Sequence, residues 1–311
     1  MQINVNSRFF EVKRLVEAGF DLIIPRVKWV VQGCVGFRSK LRPVIPVVAQ
    51  WDPLQILTEE CRNASIKVHP YMCVFNEGED SAFLKQHPEF QAVGPEGTLL
   101  NWSCPSRYEV QNHLLALYEE IIDNYDVAGV HMDYIRYDDD NMCFCTHCRE
   151  AFKRRYREDA LAVHSGGYGK HFWMDFREEN IRRFVRSMRK LTAERGKELS
   201  AATWSTYLWG KEGYGQDWCA WAREGLLDLS CPMDYTNSLD DLKDLIPGQL
   251  AAVEGKCPLW VGIGKKSSHS DLSPQQFAEQ ILLCRQLGAD GITVFSHVAL
   301  TDEDLALLKR L

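Results

Sequence analysis

The chain has 311 residues, 45% hydrophobic and 25% charged, an ordinary globular composition with ample material for a large core. A net charge of −7, with basic residues scattered over helix faces, argues against a nucleic-acid partner. No apolar run reaches the ~18 residues that a membrane span needs, and the first five residues lack the charged and apolar regions of a signal peptide, so the expectation is a cytoplasmic protein that does not enter membranes.

In chain order, eight apolar, β-branched or aromatic segments read as strands: Gln2–Val5, Asp21–Val27, Lys67–Phe75, Gly129–Ile135, Leu199–Trp204, Asp228–Tyr235, Leu259–Gly264 and Gly291–Ser296. Helical patterns follow them at Arg8–Ala18, Pro53–Asn63, Arg107–Asn124, a long pair over Cys148–Gly196, then Gln216–Glu224, Ser238–Glu254, Pro274–Leu287 and Thr301–Leu311. None of the connections reads as a tight hairpin. Eight β-then-α units in this length predict one (β/α)8 barrel domain over residues 1–311, starting at or just inside its first strand. A doubly wound open sheet is the alternative, but no glycine-rich phosphate-binding turn follows the early strands. Gly166–Gly169 and Gly210–Gly215 read as flexible loops.

A barrel gathers the C-terminal ends of its strands at one mouth. The second strand delivers Arg26 and Lys28, then Trp29, and the third delivers His69 and Tyr71, then Asn76 and Glu77. The fourth carries His131 and Asp133 at one parity, followed by Arg136. The fifth ends in Trp204, Ser205 and Tyr207, the sixth in Met233-Asp234-Tyr235, the seventh in Lys265-Lys266 and the eighth in Ser296-His297. Carboxylates, cations and aromatics at one mouth suit a polyhydroxylated substrate, because aromatic faces stack on sugar rings while charged groups bond hydroxyls. Asp133 and Asp234 are the expected pair for glycosidic hydrolysis, one ionised and one protonated, with Glu77 in reserve as the acid. Arg26, His69, Tyr71, Glu77, His131, Arg136, Trp204 and His297 are the expected substrate-binding set, and no catalytic cofactor is expected. Each of these has a plainer reading: a strand-end Asp caps helices or loops, His69 and His131 fill a barrel core, and the tryptophans pack.

The eleven cysteines are an odd number spread along a large chain, which argues for reduced core residues over a disulfide framework. Cys143, Cys145 and Cys148 are the exception: C-x-C-x-x-C can wrap one tetrahedral zinc, with Cys104 after the third strand as the fourth ligand and His147 as a local substitute. Four thiolates leave no open coordination position, so this zinc would be structural.

The residues Gly129-Val130-His131-Met132-Asp133-Tyr134-Ile135-Arg136-Tyr137 resemble the G-(I/V)-H-x-D-Y-x-R-Y strand of the family-10-like glycosyl hydrolase group of barrel glycosidases. Asp52-Pro53-Leu54 leading a helix, Lys67-Val68-His69 and Pro232-Met233-Asp234-Tyr235 add to the likeness, which covers nearly the whole chain. The resemblance implies a (β/α)8 barrel, carbohydrate hydrolysis and a nucleophile position for Asp133. More distantly, α-galactosidase-like barrels carry a nucleophilic Asp after strand four and an acid/base Asp after strand six, which matches Asp133 and Asp234. The cysteine pattern is similar to the structural zinc cluster of certain microbial β-galactosidases, with Cys104 as the lone cysteine after strand three. Asp138 departs from the group's pattern, standing where proline is common. Two rival readings are a carbohydrate-binding barrel without turnover and a hydrolase with catalytic zinc at His69, His131 and Asp133.

Overall fold

A computed structural model describes residues 9–30 and 32–311. The expected first strand, Gln2–Val5, lies outside the described residues. The expected second strand forms as β1 (Leu22–Ile23) and β2 (Arg26–Lys28), and the third as β3 (Lys67–Val68) and β4 (Tyr71–Cys73). Pro25 and Pro70 divide them, since proline has no amide hydrogen for a ladder. An antiparallel hairpin that the sequence pattern did not predict, β5 (Gln91–Val93) with β6 (Leu99–Ser103), follows β4. Its turn is made by Gly94-Pro95-Glu96-Gly97, where Gly97 takes the left-handed φ of 84° that glycine adopts without steric cost. The remaining strands, β7 (Gly129–Asp133), β8 (Glu198–Thr203), β9 (Leu229–Pro232), β10 (Trp260–Gly264) and β11 (Gly291–Phe295), stand where expected.

The sheet is parallel. β1 pairs with β3, β2 through β9 run in the order β2-β4-β7-β8-β9, and β10 pairs with β11. Parallel bridges Ser230↔Leu259 and Met233↔Gly262 join β9 to β10. Each expected strand from the second to the eighth therefore lies beside its successor. The parallel direction requires crossovers, and the helices supply them. Three helices, Thr146–Tyr156, Ala160–Gly166 and Lys170–Glu194, occupy the expected long pair, and Gly210–Gly215, expected as a loop, falls mostly inside a helix at Tyr207–Tyr214. Among the described residues no helix is long and apolar enough to cross a membrane.

Strand parity sorts the core. Val130, Met132, Leu199, Ala201, Val261 and Ile263 join helix residues such as Leu117, Ile121, Val185, Ile246 and Phe277 in one buried apolar cluster. The opposite parity is polar, carrying Tyr71, His131, Asp133 and Ser200, so the chemistry lies on the side of the sheet away from the helices. Gly129 belongs to that side. A Cβ there would stand 2.7 Å from His69 Nε2 and 2.4 Å from the Glu198 carbonyl oxygen, so the close approach of β7 to its neighbours excludes a side chain.

Candidate active site

Asp133 closes β7 in register with Cys73 and is partly exposed. Its Oδ1 accepts from the amide of Tyr134 at 2.7 Å, and Tyr134 holds a left-handed φ of 50°, a strained turn at the strand end. Burial pushes the Asp133 carboxyl up to about 6, while the Tyr134 amide, Arg136 and Arg26 pull the other way. The hydroxyls of Tyr71 and Tyr235 are raised by burial and, less, by the negative charge of Asp133. Tyr235 in turn stacks on Phe295 of β11 with ring centroids 5.4 Å apart.

Arg136 stands among four aromatic rings: Trp102, Tyr134, Trp204 and Tyr214 lie 5.5, 5.1, 5.3 and 5.0 Å from its guanidinium carbon. One of its nitrogens donates to the carbonyls of Tyr137 and Asp138 at 2.9 and 3.2 Å. Trp204 and Tyr214 stack at 4.1 Å, completing a cation-filled aromatic wall beside the carboxylate. Arg26 lies 5.7 Å from the Trp29 ring, and His297 is exposed in the turn after β11.

Deeper in the sheet, His131 Nδ1 and His69 Nδ1 both meet Ser200 Oγ, at 2.9 and 3.0 Å. Burial lowers His131 to about 3 and His69 to about 4, so both are neutral imidazoles at neutral pH. His131 contacts Tyr71 edge-on at 6.2 Å, one layer below Asp133. His69 precedes Cys73 by four residues, roughly 13 Å along a strand, and its Nε2 lies 3.1 Å from Glu198, so it does not converge on Asp133. The catalytic-zinc reading needs that convergence; among the described residues the group able to hold a metal is the cysteine quartet.

Glu77 is fully buried and bonded bidentately to Arg42 at 2.7 and 3.0 Å, with Lys28 at 3.3 Å. Burial raises its carboxyl, but the two cations outweigh burial and hold it below the usual value, leaving it no proton to give. Lys265 is likewise engaged, with Asp304 at 2.8 Å and the Leu272 carbonyl at 2.6 Å.

Asp234 shares its parity with Ser230, whose hydroxyl meets Thr203 on the helix side of β8, so its carboxyl faces the helix layer. Oδ1 accepts from Gln249 at 2.8 Å, Oδ2 is buried without a hydrogen-bond partner, and burial pushes the group up to about 7 against the Gln249 bond. A pocket of about 330 Å³ is lined by Asp234, Ser205 and Tyr235 from the strand ends and by Asp241 and Asp244 from the first half of the helix Leu239–Val253. The expected substrate-binding set left out Tyr134, Tyr214, Tyr235 and Trp102. Tyr235 was legible, because alternation from Cys231 through Met233 aims it into the mouth.

The cysteines assemble as expected. The sulfurs of Cys104, Cys143, Cys145 and Cys148 all lie within 4.8 Å of one another and are buried, with Cys104 3.3 Å from Cys148 and 3.7 Å from Cys145. Zinc–thiolate bonds of ~2.3 Å in a tetrahedron put sulfurs roughly 3.8 Å apart, so the quartet fits a metal ion. The Val93 amide donates to Cys143 Sγ at 3.4 Å and the Phe144 amide to the Val93 carbonyl at 2.7 Å, tying the β5–β6 hairpin to the loop after β7.

A parallel α/β sheet here brings a raised carboxylate, two arginines and an aromatic wall to its strand ends, an arrangement with the polar and aromatic groups of a ligand site. The chain belongs to the glycosyl hydrolase-like 10 family, which matches residues 30–245. The glycoside hydrolase domain of PgaB (BpsB) from Bordetella bronchiseptica is similar in fold, with a TM-score of 0.72 at 12% identity over 99% of this chain and 94% of that one. Alpha-L-fucosidase isoenzyme 2 from Paenibacillus thiaminolyticus gives a TM-score of 0.65 at 14% identity, covering 98% of this chain and 45% of that one. A chitinase from Chromobacterium violaceum gives 0.56 at 12% identity over 100% and 96%. In sequence, an S-layer-related protein of Niallia circulans is 29% identical over an alignment of 141 residues that covers 36% of this chain and 9% of that protein.

Proposed function

We propose that the chain is a (β/α)8-barrel glycoside hydrolase acting on an oligo- or polysaccharide. The observation that carries this reading is Asp133 at the end of β7 on the polar side of the sheet, raised to about 6, with Arg136 and its four aromatic rings three residues on. Ionised, it attacks the anomeric carbon or stabilises its positive charge. Asp234, held by burial at about 7, keeps a proton near neutrality and is the proposed donor to the leaving oxygen. His131, Arg136, Trp204, Arg26, Tyr71 and His297 position the sugar. Cys104, Cys143, Cys145 and Cys148 hold a structural zinc, which supplies rigidity and no chemistry.

One observation favours a second reading. Asp234 is only 1% exposed and faces the helices, which suits a carbohydrate-binding barrel without turnover. The variant Asp133→Asn separates the two. Loss of at least a hundredfold in turnover of a cleaved glycan, with binding retained, supports the hydrolase, and wild-type turnover in that variant sinks the assignment.

A further inference from the structure

The helix Tyr207–Tyr214 leaves β8 at the mouth face, and its two sides differ. Tyr207, Gly210 and Tyr214 face inward. The Tyr207 hydroxyl donates to Asp217 at 3.1 Å, and Tyr214 stacks on Trp204. A Cβ on Gly210 would stand 2.8 Å from that of Trp204, so the helix is seated directly on the aromatic wall. The outward side presents Leu208 and Trp209, 66% and 61% exposed, which an amphipathic helix ordinarily fills with polar residues. The Trp209 indole lies across Gly213, whose Cβ position is 3.8 Å from the ring, so the indole rests flat on the helix with its outer side open. Exposed Glu212, three residues on, lies on the same side and offers a carboxylate acceptor.

We propose that Trp209 is a stacking platform for a sugar of the substrate chain lying beyond the cleavage point, so that the protein acts on long glycans. This rests on the reading of the mouth as a carbohydrate site. A flat indole next to a carboxylate matches a sugar ring, with one apolar face and hydroxyls at its edge. Two apolar side chains fall far short of the ~1,000 Å² that a stable protein interface requires, so a glycan strand suits the patch better than a second protein. The same short helix supports this occupant, because it carries Tyr214 of the wall on its inner side and Trp209 on its outer side, so one element borders the mouth with both rings.

The full chain, Trp209→Ala, Trp209→Phe and Asp133→Asn are run by affinity electrophoresis in gels cast with glycol chitin, galactomannan or xyloglucan. Calorimetric Kd values are then measured for the dimer and hexamer of the retarding polymer. The expected result is that Trp209→Ala loses about three- to tenfold in hexamer affinity and less than about twofold for the dimer, and that Trp209→Phe restores most of the loss. Equal losses on dimer and hexamer, or a wild type that no polymer retards, would overturn the platform. Failure of the hydrolase reading shows separately, as wild type that yields no product while the Kd pattern stands.

Discussion

At the level of single residues, the two aspartates carry the pH behaviour. Catalysis by ionised Asp133 and protonated Asp234 predicts a bell-shaped kcat/KM profile, rising through about 6 and falling through about 7. A flat profile from pH 5 to 8 on a cleaved glycan would remove both from the mechanism. Asp234 also sets a stability slope, because its folded value lies above its unfolded one. Between about 4 and 7 the folded chain holds a proton that the unfolded chain has released, so its contribution is complete below this window and is lost as pH rises through it. Asp234→Asn keeps an oxygen for the Gln249 amide and carries no charge. It is expected to flatten that slope and to raise stability at pH 8 by up to a few kcal/mol, measured by urea unfolding at pH 4.5 and pH 8. The side of the sheet that Asp133 faces was legible in the sequence because the period of two in Gly129, His131 and Asp133 is unbroken. The same rule applied to Ser230, Pro232 and Asp234 gives the helix side, but the motif around Asp234 drew attention to its identity over its parity. Glu77 was legible only as a carboxylate, since its cations, Lys28 and Arg42, come from far along the chain.

Among elements, the β5–β6 hairpin matters most to the site. It delivers Trp102 to the Arg136 wall and, one residue past its end, Cys104 to the sulfur quartet. A metal ion held by the quartet would therefore fix the distance between the hairpin and the loop carrying Tyr134 and Arg136. The purified chain is expected to contain about one zinc, which Cys143→Ser loses together with several degrees of thermal midpoint. Metal analysis showing equal zinc in both proteins would remove the quartet as its site. The C-x-C-x-x-C spacing and a cysteine after the third strand were enough to find all four members of the sulfur quartet, because local spacing and loop order are sequence properties. The hairpin itself was missed: two short apolar runs around Gly94-Pro95-Glu96-Gly97 carry a turn signal, but the longer β/α rhythm overrode it. Proline positions likewise explain why two expected strands each appear as two pieces.

For the whole molecule, strand order was legible because each parallel strand pairs with the next one in the chain, so sequence order and spatial order coincide. Which layer of the sheet each inward residue reaches was not legible, because it depends on register: Tyr71↔His131 and Cys73↔Asp133 put His69 well below the carboxylate. The two ends of the described chain meet through ion pairs, Arg14 with Asp302 and Glu17 with Lys309. Sequential pairing has a further consequence at the segment between helices Ala160–Gly166 and Lys170–Glu194, where Tyr168 is 93% exposed. A break there separates two pieces that still share the β7–β8 seam, paired over four residues from Gly129↔Glu198 to Met132↔Ala201, with Ser200 held between two histidines from the other piece. Brief chymotrypsin treatment should nick the chain at Tyr168 and leave fragments that co-elute on gel filtration. Co-expressed as separate polypeptides, the same two pieces should find each other and reconstitute one fold by fragment complementation.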